Sequence, residues 1–200
     1  MVALADGAGS ARCSEVGAAV VSQEVCNFVA DNFSVLFATQ DTSAIAKQIL
    51  DALLQKLSIT ATEVPCNLHD LASTLLFVAL HEGQYLIGHL GDGVIEQLTG
   101  EGLDVVSILD NSEYANETYF ITSPHAAQHL RITKGTLDAD VQGFVLMSDG
   151  PEMSFYQKQQ QKLAPVLSRL MKYLIVYPAE DLQKSIQEDM ETLIKKAHAG

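Results

Sequence analysis

Basic residues are scarce in this sequence: 12 lysines and arginines stand against 25 aspartates and glutamates, a formal charge of −13. Binding to nucleic acid or to an anionic membrane depends on neutralising phosphate with a basic surface, so neither partner is expected. Cysteine is rarer still. Cys13, Cys26 and Cys66 are odd in number, lie far apart and form no Cys-x-x-Cys pair. That argues against a disulfide framework or a zinc site and for reduced, buried thiols in the cytoplasm. No apolar run approaches the roughly 20 residues of a membrane span, and no basic region precedes the apolar N-terminus, so neither an anchor nor a signal peptide is expected. Without a secretory signal, the glycosylation sequons at Asn32 and Asn116 carry no weight. No Pro-rich, Ser-rich or single-charge stretch divides the chain, and 48% of it is apolar. One domain over the whole length, with a substantial core, is the expectation.

What the sequence does have is apolar runs that end in a carboxylate beside glycine. Val2-Ala3-Leu4-Ala5 stops at Asp6-Gly7-Ala8-Gly9-Ser10, Leu86-Ile87-Gly88-His89-Leu90 at Gly91-Asp92-Gly93, and Phe144-Val145-Leu146-Met147-Ser148 at Asp149-Gly150. One Asp-Gly is ordinary turn chemistry. Three of them on neighbouring strands would bring Asp6, Asp92 and Asp149 to one end of a sheet pair. Such an all-oxygen set suits a hard divalent cation such as Mg²⁺ or Mn²⁺. Gly7 can add its own carbonyl oxygen, since small residues there let other groups approach the backbone. A negative surface also raises the local concentration of cations. The six histidines, at positions 69, 81, 89, 125, 129 and 198, show no metal-ligand spacing and read as core or surface residues. Gly7-Ala8-Gly9-Ser10 is no P-loop, because no Gly-Lys-Ser or Gly-Lys-Thr follows it.

The periodicities place helices at both ends of a run of strands. Ser14 can cap a first helix carrying Val16, Val20, Val21, Val25, Phe28 and Val29 at helical spacing. A second begins near Asp41-Thr42-Ser43, with Ile45, Ile49, Leu50, Leu53, Leu54 and Leu57 as its stripe and Pro65 beyond its end. Strands follow over 71–80 and 85–90, joined by a hairpin at His81-Glu82-Gly83-Gln84, then over 94–98, 104–109 and 118–122, with a weaker one at 130–132. Helical spacing returns from Leu163 to Leu174, and a last helix runs from about Ala179, its charges ordered to complement the helix dipole. Successive strands without intervening helices imply antiparallel sheets, and the helices imply outer layers.

In this order and spacing the motifs resemble the metal-dependent protein phosphatases of type 2C, in their compact bacterial branch. The segments that carry the resemblance are Ala5-Asp6-Gly7-Ala8-Gly9-Ser10 with Glu15-Val16-Gly17-Ala18, then Ala72-Ser73-Thr74-Leu75, Gly91-Asp92-Gly93 and Met147-Ser148-Asp149-Gly150. The resemblance implies an α+β fold, an antiparallel β-sandwich flanked by helix pairs on both outer faces in four layers. It implies hydrolysis of phosphoserine and phosphothreonine in protein substrates by water held between two Mn²⁺ or Mg²⁺ ions. Asp6 would bridge both metals, the Gly7 carbonyl would hold one and Asp149 the other, so that Asp6 and Asp149 carry the catalysis. Asp92 matches an acid that many relatives use for a third, weaker ion. Ser73 and Thr74 match a core motif and are assigned packing and hydrogen bonding.

The departures bear on activity. Relatives carry a further acid-bearing segment before the first Asp-Gly strand, often with a phosphate-binding arginine, and a short acidic motif and final strand after the last helix. Neither is matched, and Glu188, Asp189 and Glu191 read as the solvated face of a helix. Ala8 stands where many relatives have a histidine, and Arg12 reads as a solvated loop residue. An incomplete metal site is therefore expected, with the sheet edges left open to self-association. The alternative is a catalytically silent, phosphatase-like binding or regulatory module.

Overall fold

In the computed structural model, residues 1–108 and 118–148 are described, with 156–157, 162–163 and 187. In chain order the first elements are β1 (Val2–Leu4), α1 (Ser14–Ala38), α2 (Thr42–Glu63), a 3-10 turn (Leu68–Leu71), β2 (Leu75–His81) and β3 (Gln84–Leu90). They are followed by β4 (Val94–Leu98), β5 (Leu103–Ile108), α3 (Ala126–His129), β6 (Arg131–Thr136), β7 (Gly143–Met147), β8 (Tyr156–Gln157) and β9 (Lys162–Leu163). The chain forms two compact units, one of Met1–Gly93 with Ile108–Leu137, the other of Val94–Ser107 with Asp138–Gly200. Each contains an antiparallel sheet, as the unbroken succession of strands requires, and the fold is α+β.

The first unit holds a four-stranded sheet in the order β1-β2-β3-β6. Its hairpin pairs His81 with Gln84, and Glu82 and Gly83 form the two-residue turn with φ of 49° and 74°. Positive φ at both turn residues matches the right-handed twist of the strands. Leu75, Phe77 and Ala79 of β2, with Leu86 and Leu90 of β3, share the face that α1 and α2 cover. Gly88 lies opposite Phe77, and a Cβ there would come within 2.0 Å of the Phe77 ring, so a side chain would displace it.

Helix α1 buries Gly17, Val21, Val25, Val29, Phe33 and Leu36, a stripe at intervals of four and three residues. The expected Val16 instead lies at the margin, 38% exposed. Ser14 is the first helical residue, and Cys13, without a side-chain capping bond, takes the capping position expected of Ser14. Helix α2 is capped as expected by Asp41, whose carboxylate accepts the Ser43 N–H at 2.9 Å, and it buries Ile45, Ile49, Leu50, Leu53 and Leu57. Each such aliphatic side chain contributes about 1.5–3 kcal/mol of burial free energy. Lys134 closes the C-terminal end of α1 by donating to the carbonyls of Phe37 and Thr39, both at 2.5 Å.

The second unit holds a three-stranded sheet ordered β5-β4-β7 and the ribbon β8-β9. Leu163 pairs with Tyr156 in that ribbon, so the helix expected to begin at Leu163 does not begin there. Residue 187, within the expected last helix, is helical. The rest of that helix and all of the preceding one beyond Leu163 lie outside the described residues.

Two further sequence expectations are corrected. Thr118 to Thr122 does not form a strand: Phe120 donates its N–H to the Ser123 hydroxyl at 2.9 Å, and the Ser123 N–H returns to the Phe120 carbonyl at 2.9 Å. A serine hydroxyl that mimics a backbone partner makes a turn of an apolar run. Second, Cys13 and Cys66 are joined in a disulfide, with Cα atoms 6.6 Å apart across 53 positions. The bond follows from the fold, which draws the residue before α1 to the segment after α2. Only Cys26 is a free thiol. The bridge removes the thiol count as an argument for a reducing compartment. Among the described residues, no helix is long and apolar enough to cross a membrane.

Candidate metal centre

The first carboxylate, Asp6, sits where β1 runs past its last paired residue alongside the approach to β2. Leu4 pairs with Leu76, and the register continues as an isolated bridge between Gly7 and Ser73. Two backbone bonds flank the bridge, from the Thr74 N–H to the Asp6 carbonyl at 2.8 Å and from the Ala8 N–H to the Ala72 carbonyl at 3.0 Å. In this kind of antiparallel pair the central residues turn their own N–H and C=O away from each other. The ladder therefore leaves the Gly7 carbonyl outside its bonds. The Thr74 hydroxyl accepts the Asp6 N–H at 3.0 Å, so the acid is anchored through both its backbone groups. This agrees with the hydrogen-bonding role expected of Thr74. Ser73 is fully buried, and its hydroxyl has no hydrogen-bond partner.

Glycine is required at position 7, because a Cβ would lie 2.8 Å from the Ser14 side chain. Gly17 is similarly closed: its Cβ would meet the Leu71 carbonyl at 2.0 Å, so α1 lies directly against the 3-10 turn. The Cys13 N–H donates to the Asp70 carbonyl at 2.9 Å, and the Arg12 guanidinium donates to the Pro65 carbonyl. Arg12 thus ties one loop to another at the surface, as its reading as a loop residue implies.

Asp92 follows β3 in the turn toward β4. The β2–β3 register ends at Leu75↔Leu90, and the next residue, Gly91, packs against Thr74. Thr74 links the Asp6 and Gly91 stretches: it bonds Asp6, and its methyl group would lie 2.5 Å from a Cβ on Gly91. Gly91 has φ of +110°, which L side chains rarely adopt. One Asp92 carboxylate oxygen accepts the Thr118 hydroxyl at 2.8 Å. The segment that carries Thr118 is tied to the same corner, for the Ile121 N–H donates to the Ser73 carbonyl at 2.8 Å. Asp6, Gly7 and Asp92 therefore belong to one corner of the first unit. Asp149 lies outside the described residues; Met147 ends β7 in the second unit.

Sequence reasoning did not single out His89 or Arg131. They pair directly across β3 and β6. His89 is 1% exposed, and its ring reaches the Gly91 carbonyl with Nε2 at 3.2 Å and the Arg131 guanidinium with Nδ1 at 3.1 Å. Burial and the adjacent Arg131 charge push its pKa down to about 3 against the opposing Gly91 hydrogen bond, so the ring is neutral near pH 7. The available signal was its place two residues before Gly91, in a strand whose neighbours are apolar.

The donors that Asp6, Gly7 and Asp92 can offer are all oxygens: two carboxylates and a backbone carbonyl left outside its ladder. They fit a hard divalent cation by donor chemistry. Among the described residues no group of three or more His, Cys, Asp or Glu side chains is clustered for a metal.

Among solved structures, a bacterial serine phosphatase matches with a TM-score of 0.60 and 17% identity, over 98% of this chain and 80% of that one. The Mycobacterium tuberculosis serine/threonine phosphatase PstP/Ppp matches with a TM-score of 0.56 and 17% identity, over 98% and 81%. The catalytic domain of PstP in complex with two manganese ions gives 0.54 and 17%, over 86% and 79%. No curated protein matches. At these identities the likeness is one of fold, and the fold is that of the metal-dependent serine/threonine phosphatases. The model of the family described as protein phosphatase 2C matches residues 1–190. With Asp-Gly pairs at the two expected strand ends of the first unit and a family match over residues 1–190, the chain belongs to the protein phosphatase 2C family.

Proposed function

We propose that this protein hydrolyses phosphoserine and phosphothreonine in protein substrates, using divalent cations held by Asp6, the Gly7 carbonyl, Asp92 and Asp149. The observation that carries the reading is the Asp6–Gly7 corner, where both backbone groups of the acid are bonded and the glycine carbonyl is left outside the ladder. Bound there, paired Mn²⁺ or Mg²⁺ ions lower the pKa of a water to make a nucleophile and neutralise charge on the phosphoryl oxygens. The manganese found in the PstP catalytic domain supports Mn²⁺ as the first cation to test.

The residues of this chain have distinct tasks. Asp6 would offer its carboxylate oxygens to the metals from a backbone fixed by Thr74. Asp92, held by Thr118, supports a further ion. Asp149 would hold a metal on the strength of its motif, Met147-Ser148-Asp149-Gly150. Ala8 brings no ionisable group to the place where many relatives have histidine, so none of the proton transfer falls to it. The match over residues 1–190 supports treating both compact units as one phosphatase-like domain. Self-association belongs to the same reading: β1 is the outer strand of its sheet, and Met1 and Val2 are 45% and 48% exposed.

The test is calorimetric titration with Mn²⁺ alongside hydrolysis of an aryl phosphate and a phosphothreonine peptide. Asp6→Asn and Asp149→Asn should each lower turnover about 100-fold or more, since each removes charge opposite the developing phosphoryl charge. Full activity in either variant would overturn that residue's assignment. Tight phosphopeptide binding without turnover in the parent protein would replace the enzyme with a binding module.

A further inference from the structure

We propose that His89, itself held by Arg131, is a positioning residue that fixes the Gly91–Asp92 peptide and so aims the Asp92 carboxylate; the role in metal binding rests on the phosphatase reading. The bonding pattern determines the tautomer. A guanidinium can only donate, so Nδ1, 3.1 Å from the Arg131 nitrogen, accepts and carries no proton. A carbonyl oxygen can only accept, so Nε2, 3.2 Å from the Gly91 oxygen, carries the proton and donates it. The two assignments are independent and agree on one neutral ring.

The Gly91 carbonyl and the Asp92 N–H belong to one planar peptide group. Fixing the carbonyl therefore fixes the plane from which Asp92 departs. Gly91, at φ of +110°, has the widest conformational choice at this turn, so an external restraint matters most there. The restraint is rigid because His89 is buried on β3 and Arg131 is paired with it on β6. On the other side of the turn, the Thr118 hydroxyl holds the carboxylate at 2.8 Å. Asp92 is thus gripped at its backbone by a strand-borne histidine and at its side chain by a threonine. An outer-shell partner that orients a ligand typically changes metal affinity 10- to 100-fold.

The experiment compares His89→Leu, His89→Gln, Arg131→Met and Asp92→Asn in the full chain. In the metal-free protein, amide hydrogen exchange at Asp92 and Gly93 should speed up in His89→Leu and Arg131→Met, and ¹⁵N NMR of the parent should show the His89 proton on Nε2. In Mn²⁺ titrations, the component lost in Asp92→Asn should weaken about 10-fold or more in His89→Leu. His89→Gln should restore most of it, because its amide can donate to Gly91 while its oxygen accepts from Arg131. A double variant, Asp92→Asn with His89→Leu, should bind Mn²⁺ no more weakly than Asp92→Asn alone, as expected when one residue acts through the other. Unchanged exchange at Asp92, a proton on Nδ1, or additive losses in the double variant would overturn the proposal. If His89→Leu fails to fold, the Gln and Met variants decide it. A parent protein that binds no Mn²⁺ refutes the phosphatase reading alone, and the metal-free exchange then decides the positioning role.

Discussion

Glu96 is the residue whose environment most opposes its chemistry. It lies on β4, fully buried, and neither carboxyl oxygen has a hydrogen-bond partner. Burial first, and then the charge of Asp104 on β5, raise its pKa to about 7 from the model-peptide value of 4.5. The folded state therefore holds a proton that the unfolded state has lost between those two values. Its contribution falls as pH rises through that window and is fully unfavourable above it. His89 acts in the opposite direction: with a pKa lowered from 6.5 to about 3, it withdraws stability as pH falls below 6.5. These two groups together place maximum stability at mildly acidic pH. Glu96→Gln should raise the melting temperature at pH 8 by about 2–4 °C for each kcal/mol recovered, and should change it little at pH 4. Thermal melts across pH check this, and an equal gain at both pH values would show that charge burial is not the cause.

At the scale of elements, the first two helices and the hairpin were legible in the sequence because their signals are local. Asp41 before a four-and-three apolar stripe specified α2, and Glu82-Gly83 between two apolar runs specified the β2–β3 turn. The failures arose where a distant or polar partner took over. The segment from Thr118 carries a strand's composition, yet the Ser123 hydroxyl bends it. The Cys13–Cys66 bridge was illegible because it depends on α1 and α2 packing side by side, which brings together residues 53 positions apart. That bridge also clamps the end of the Asp6 loop to the end of α2. A cross-link closing a loop of this size typically contributes about 2–4 kcal/mol, chiefly by restricting the unfolded chain. Thiol reductant should lower the parent's melting temperature, while Cys13→Ser should melt lower from the start and ignore reductant. Two alkylatable thiols at Cys13 and Cys66 in protein prepared without reductant would contradict the bridge.

At the scale of the whole molecule, Asp6 and Asp92 were legible as endpoints of apolar runs, whereas what holds them was not. Thr74 and Thr118 bond Asp6 and Asp92 from other segments, and Arg131 reaches His89 from the neighbouring strand, so only the fold shows it. Charge and sheet edge oppose each other at this scale, and the outcome depends on salt. A charge of −13 makes two copies repel, while the outer edge of β1, beside the exposed Val2, offers backbone groups to another strand. Among the described residues no strand pairs with that edge. The screening length is about 10 Å at 0.1 M salt and about 3 Å at 1 M, so repulsion between copies fades over this range while backbone pairing is much less affected. Light scattering should therefore report monomer at low salt and a concentration-dependent rise in mass as salt increases. Val2→Lys adds a charge beside the edge, the device by which natural edge strands avoid pairing, and should suppress that rise. Association that weakens with salt would identify an electrostatic contact instead, and a constant monomer mass at every salt and concentration would remove β1 as a docking edge.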